Sequence, residues 1–215
     1  MNFELNDERK KYLESSGKVI LNACPGSGKT TTIAEKLSYL INDWNKKYND
    51  YCGIACLSFT NVAKNEITEK YRIKNSFPLT YPHIVTTIDS FINKNITLPF
   101  ANKIINSDKR FKIIDDSKFI DNLFLNNWNF RKKYKEYYFS YSPSRIDYTN
   151  NNTFAFDGKE KIDDLNFTNY ANDVKTIQIQ AGLLKSSDSS YIALNIFSKY
   201  NQLSKYLCKR FPYII

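Results

Sequence analysis

Histidine and cysteine are scarce in this chain of 215 residues. His83 is the single histidine, and the four cysteines, Cys24, Cys52, Cys56 and Cys208, show no C-x-x-C spacing. That argues against a zinc site and predicts reduced thiols in a cytoplasmic protein. No run of eighteen apolar residues occurs and Met1–Lys11 is polar, so neither a membrane span nor a secretory signal is expected. Acid is short as well: 22 Asp and Glu stand against 31 Lys and Arg, a formal net charge of +9. After Asp188 there is no acidic residue at all. Such an excess points either to a polyanionic partner, nucleic acid above all, or to a lysine- and asparagine-rich surface that charge alone cannot assign. No internal repeat or low-complexity segment is evident beyond the asparagine richness.

What is present is core material and one loop. Hydrophobic residues make up 42% of the chain and aromatics 15%, enough for one good core, or a core with a small second domain. The chain is organised around Ala23-Cys24-Pro25-Gly26-Ser27-Gly28-Lys29-Thr30. Val19–Ala23 leads in as an apolar-leaning strand, and an amphipathic helix pattern leads out. Strand, glycine-rich turn, Gly-Lys-Thr and helix make the phosphate-binding Walker A loop. Gly26 and Gly28 allow backbone conformations that a Cβ would block, so successive N–H groups face phosphate oxygens. The helix beginning near Lys29 adds its positive end. Lys29 is expected to reach the β- and γ-phosphates of ATP, the Thr30 hydroxyl to ligate Mg²⁺, and Thr31 to follow in the same turn. Ala23 stands where the motif has Gly, and the alternative is a chance Gly-Lys-Thr in an ordinary turn.

Taken in order, Leu5–Ser15 reads as a short helix ending at Gly17, and Lys18–Ala23 as the first strand. Ile33, Leu37, Leu40, Ile41, Trp44 and Tyr48 then share one helix face. Gly53–Phe59 is a near-continuous apolar run suited to a buried strand. A helix follows from Val62 to about Ile73, a strand at His83–Thr86, and a helix from Thr87 to about Ile96. Such alternation gives an α/β fold with a parallel sheet. From Leu98-Pro99 it stops: Ser117–Phe139, Asn166–Lys185 and Ser189–Lys209 read as helices, Ser144–Phe156 as a hairpin, and Phe211–Ile215 as a closing strand.

Three segments read together resemble the superfamily 1 DNA helicases of the UvrD/Rep type. The loop, then Leu57-Ser58-Phe59-Thr60-Asn61 with Ala63 and Glu66, then Thr87-Ile88-Asp89-Ser90-Phe91 match that family's motifs I, Ia and Ib in order and spacing. Phe111–Asp116 looks like the opening of the inserted subdomain, and Leu203–Ile215 like the helix and strand leading to motif II. Asp89 and Leu98-Pro99-Phe100 look most like shorter members, including the helicase-like subunit of the Gabija anti-phage system. The resemblance implies a P-loop NTPase with a RecA-like sheet, at residues 1–97 plus 186–215, and a mostly helical insert (1B) at 98–185. It implies an ATP- and Mg²⁺-dependent helicase whose Phe59, Thr60, Asn61, Thr87, Asp89, Ser90 and Phe91 lie along single-stranded DNA. Aromatic faces and hydroxyl or amide donors suit that task. The bland readings stay open: Phe59 buried in its strand, and Asn61 an N-cap.

Two departures matter. Arg9 stands where the family places an adenine-reading glutamine; it can stack on a purine but cannot copy the amide's donor–acceptor pair. The sequence also stops at Ile215, where the family continues with Asp-Glu-x-x-Asp. The chain is therefore expected to be an N-terminal part, inactive or nearly so in ATP hydrolysis alone. A second helicase domain or split partner chain would complete it. The alternatives are a stand-alone nucleotide- or DNA-binding module without turnover, or a small complete NTPase using Asp89 or Asp115. The tract Phe130–Lys135 with Tyr137, Tyr138 and Phe139 suits either a duplex backbone or a solvated face over a buried aromatic stripe.

Overall fold

The computed structural model describes residues 7–22, 24, 26–149, 153–158, 160, 161 and 164–215. The chain forms two compact units: the residues through Ile88 together with Gln202–Ile215, and Asp89–Asn201.

In the first unit α1 (Asp7–Glu14) precedes the glycine loop, and α2 (Lys29–Asn42) leaves it. A four-residue α3 (Trp44–Lys47) prolongs the apolar stripe of α2, so that Leu37 and Trp44 are buried with Ile54 and Tyr71. β1 (Ile54–Ser58) is buried along most of its length, as its run of apolar residues requires. It leads into α4 (Asn61–Asn75), which packs against α2 and is capped by Thr60, whose hydroxyl accepts the Ala63 N–H at 3.1 Å. β2 (Ile84–Thr87) follows.

The second unit opens with α5 (Ile88–Ile92), a π-helical turn (Asn93–Thr97) and α6 (Leu98–Ile105). Pro99 sits in the first turn of α6, where its missing N–H costs nothing, so helix continues past the point where the alternation was expected to stop. β3 (Lys112–Ile113) comes next. The single helix expected over Ser117–Phe139 is three: α7 (Ser117–Leu125), α8 (Trp128–Lys133) and α9 (Lys135–Ser140). The Asn127 side chain accepts the Phe130 N–H at 3.1 Å and so starts a new helix where the old one would have continued. β4 (Ile146–Tyr148) and β5 (Phe154–Phe156) pair antiparallel as the expected hairpin, and β6 (Glu160–Lys161) extends it; the turn at Asn150–Asn152 lies outside the described residues. α10 (Leu165–Gln180), β7 (Leu183–Leu184) and α11 (Ser186–Lys199) complete the unit, with β7 parallel to β3. Its core is aromatic: Phe124, Phe130, Tyr134, Phe154, Phe167 and Tyr170.

The helix expected over Ser189–Lys209 breaks at Tyr200, where the chain returns to the first unit as α12 (Asn201–Arg210) and β8 (Tyr213–Ile214). The first unit's sheet is parallel, in the order β2-β1-β8. Ser58 pairs with Thr87, and Ile54 with Tyr213.

The helix expected over Asn166–Lys185 ends at Gln180, with β7 after it, and the first expected strand is corrected as well. Lys18–Asn22 is not a strand; Ala23 lies outside the described residues. An apolar run becomes a strand only by joining a ladder, and no ladder bond reaches this segment among the described residues. Ile20 is 92% exposed and Val19 is exposed beside it.

Candidate functional site

The loop takes its shape from two glycines in the left-handed region, Gly26 at φ 77° and Gly28 at φ 86°. Apart from its chain neighbours, no described atom lies within 4 Å of where a Cβ on Gly26 would stand, so it is the positive φ rather than packing that calls for glycine here. Three donors gather on the Cys24 carbonyl: the Ser27 N–H at 3.2 Å, the Ser27 hydroxyl at 2.7 Å and the Lys29 ammonium at 3.0 Å. Arg9, from α1, donates to the Ser27 carbonyl at 2.7 Å. Ala23 and Pro25 lie outside the described residues.

Gly28 is the N-cap of α2 and offers no side chain; no described side chain caps this end, and its first turn holds no acid. The helix therefore begins with amides and a positive dipole end uncompensated by carboxylate. Thr30 and Thr31 are half-buried in that turn, while Thr32 is buried and its hydroxyl donates to the Gly28 carbonyl at 3.2 Å. This donor set fits a phosphate chain. Among the described residues no three His, Cys, Asp or Glu side chains cluster. A Mg²⁺ ion here would take the Thr30 hydroxyl from these residues and its other oxygens from phosphate and water, a shell that ion accepts.

A further residue, unremarked in the sequence, holds α1 to α2. Lys36 is buried, and its ammonium donates to the Tyr12, Leu13 and Ser15 carbonyls at 3.0, 2.6 and 2.6 Å. These carbonyls lie at and just past the C-terminal end of α1, that of Tyr12 also accepting the Ser15 N–H and hydroxyl, and burial pushes the Lys36 pKa down. Together with Arg9 it fastens α1 beside the loop at two points. The readable signal was Glu35-Lys36, two charges inside an apolar helix stripe.

At the carboxyl end of β1, Phe59 is 88% exposed. Thr60 is the cap of α4, with its backbone extended, and Asn61 is the exposed first residue of that helix. Thr87, at the matching end of β2, is buried. Asp89 and Ser90 stand in the first turn of α5, Asp89 exposed and Ser90 half-buried. Phe91 is buried and has no free face for a base to stack on. Of these seven residues, Phe59, Thr60, Asn61 and Thr87 belong to the first unit, and Asp89, Ser90 and Phe91 to the second.

Asp115 and Asp116 are engaged in holding helix starts. Asp115 accepts the Ser186 N–H at 2.8 Å and the Ser186 hydroxyl at 2.6 Å, holding the start of α11. Asp116 caps α7 by accepting the Lys118 and Phe119 N–H groups.

Set beside known proteins, residues 5–215 match the UvrD/REP helicase N-terminal domain family. The Gabija protein GajB of Bacillus cereus strain HuB5-5 is 34% identical over 59 residues, 27% of this chain and 9% of that protein. The Gabija protein GajB of strain VD045 is 28% identical over 102 residues, 46% of this chain and 18% of that protein. The matched stretches span less than a fifth of either relative. Among the described residues no helix is long and apolar enough to cross a membrane.

Proposed function

The chain belongs to the UvrD/REP helicase N-terminal domain family, and from that premise we propose that it is the ATP-binding, DNA-gripping part of an ATP-dependent helicase. The family implies a P-loop NTPase fold and the use of ATP with a divalent metal. One observation carries the assignment to residues: two left-handed glycines and Lys29 converge on a helix start that no described side chain caps.

Bound ATP·Mg²⁺ would supply the phosphate charge and the bond to be broken; the chain's own groups hold it. Lys29 leaves the Cys24 carbonyl for the β- and γ-phosphates, a neutral acceptor exchanged for a charged one. The amides around Gly26, Ser27 and Gly28, with those of Lys29, Thr30 and Thr31, receive phosphate oxygens. Thr30 would give its hydroxyl to the metal, and Ala23, Cys24 and Pro25 belong to the same binding motif. Arg9, already committed to the Ser27 carbonyl, reads the base weakly, so ATP and GTP bind with similar affinity.

Single-stranded DNA is held in the first unit by Phe59, with Thr60 and Asn61 as phosphate donors, and by Thr87; Asp89, Ser90 and Phe91 of the second unit are its further contacts. Phe59 gives the stacking face and Phe91, being buried, shapes the segment from beneath. Residues 98–185, within the second unit, are the 1B insert. A second helicase domain, in the same or a partner chain, completes the machine.

Calorimetry with ATP or ADP tests the loop: Lys29→Ala abolishes binding while the fold survives. Unchanged affinity in that variant overturns the assignment. For DNA, binding is indifferent to sequence and weakens steeply with salt, by about 0.7 in log–log slope per phosphate contacted; a flat response rejects the track. A second reading, a binding module without turnover, is favoured by one observation: Asp115 is tied to Ser186 rather than open to metal.

A further inference from the structure

The three strands of the first unit run parallel, so the sheet has two unlike ends. Phe59 and Thr87 stand at the carboxyl ends. At the amino ends lies a separate groove of about 750 Å³, within the ~300–1,000 Å³ range of ligand sites. Its walls come from the residues that enter each strand: Tyr48 and Tyr51 before β1, Tyr81 before β2, and Tyr206, Lys209 and Arg210 before β8. We infer that this groove is a second single-stranded nucleic-acid site, in which bases stack on the tyrosines and phosphates meet Lys209 and Arg210. The inference rests on the reading that the chain binds single-stranded DNA.

Aromatic rings are an unusual lining for a solvent-facing surface. Tyr51, Tyr81 and Tyr206 are 57%, 72% and 60% exposed. Tyr48 is braced by a stacked contact with Trp44, ring centres 4.3 Å apart. The cation is braced too. Both Arg210 Nη atoms donate to the Pro82 carbonyl at 3.3 Å, and the guanidinium lies 5.2 Å from the Tyr81 ring and 4.4 Å from that of Phe211. Gly53 lets this happen, because a Cβ there would collide with the Pro82 carbonyl and the Arg210 guanidinium. The groove lining holds no acid. The flanking helices α3 and α12 carry Lys47, Lys205, Lys209 and Arg210 beside Lys46, which pairs with Asp43 at 2.7 Å.

Fixed rings with cations beside them are the arrangement that binds bases and backbone together without reading sequence. An acidic peptide would satisfy Lys209 and Arg210 but leave the tyrosine faces in water. The five residues of β1 separate this groove from Phe59 by about 16 Å, so a strand held here is distinct from one held at the carboxyl ends.

The test is photocrosslinking of the 215-residue chain to a bromodeoxyuridine-substituted 20-mer, followed by peptide mapping. Adducts are expected at Tyr81 or Tyr206 and persist in Phe59→Ala. In the Phe59→Ala background, Tyr206→Ala combined with Lys209→Gln lowers affinity for the 20-mer about tenfold or more. Adducts confined to the Phe59 peptide overturn this site and leave the first track standing. So does unchanged affinity in the double variant, or polyglutamate displacing the 20-mer from Tyr81 and Tyr206 at equal charge concentration. No binding of DNA anywhere overturns both.

Discussion

Carboxylates anchor the second unit from within, whereas the loop of the first presents donors without one. In Asp89–Asn201, Asp116 and Asp164 cap α7 and α10, and Asp115 holds the first amide of α11. Asp121 accepts both hydroxyls of Ser142 and Ser144 and the Ser144 amide. Asp188, 1% exposed, is clasped by Lys175, 2% exposed, at 2.7 and 2.9 Å. Around Cys24–Thr32 of the first unit the polar groups are amides, hydroxyls and a lysine. The difference teaches what each unit can hold. In the second unit these carboxylates serve as caps and anchors, whereas the start of α2 in the first has no acid in its first turn and a positive dipole end suited to an anion.

The strongest way to break this comparison is to find turnover. Loss of a general base costs about 10²–10⁴-fold, and an absent arginine finger about 10³–10⁵-fold. From a typical enzyme rate near ~10 s⁻¹, the 215-residue chain falls to background in a DNA-stimulated phosphate-release assay. Turnover above about one per second that vanishes in Lys29→Ala would mean an acid does serve the loop, and Asp89 or Asp115 would come forward.

Next in size is the buried pair. Asp188→Ala leaves the Lys175 ammonium stranded and costs about 3–5 kcal/mol in urea unfolding, whereas Lys175→Met with Asp188→Leu is close to neutral. A cost below about 1 kcal/mol for the single change would show that the anchor is not one.

Caps come third. Asp116→Ala loses two amide partners at the start of α7 and costs about 1 kcal/mol, while Asp89→Ala, exposed in α5, stays within about 0.5 kcal/mol. Equal costs would erase the distinction between anchored and open acids.

The smallest effect sharpens the first unit's side. His83 accepts the Ile54 N–H through Nδ1 at 3.2 Å and meets Trp44 edge-on. Burial first, and Arg210 second, lower its pKa below 6.5. Above pH 6.5 the ring is neutral folded or unfolded, and its contribution is complete. As pH falls, the unfolded chain takes the proton first, so stability declines from pH 6.5 down through the lowered value. With one histidine in the chain, the urea midpoint between pH 7.5 and 5.5 should fall in the wild type and flatten in His83→Gln.

Much of the architecture was readable locally. The α2 stripe through Leu37 and Trp44, the apolar run of β1 and the Ser144–Phe156 hairpin follow from spacing, because each buries one predictable face. The helix break at Tyr200 was not readable, and neither was that at Asn127, where a side chain that caps a new helix looks the same in sequence as one that rides an old one. Nor was the state of Val19–Asn22, whose apolar residues suit a strand that no neighbour among the described residues completes.

By itself the sequence determined the chemistry available: a glycine loop ending in Lys29 and Thr30, a cationic surplus, and no acid after Asp188. Those follow from residue type and short spacing, which survive any packing. Tertiary structure alone decided which groups remain available for that chemistry. Phe111–Asp116 ends in two acids like a metal-binding strand, yet Ser186, 71 positions from Asp115, occupies it. Tyr51, Tyr81 and Tyr206 are scattered single residues until three parallel strands bring their entrances to one edge. Availability depends on partners distant in the chain, and hydrogen bonding and burial are settled between such partners only when the chain has folded.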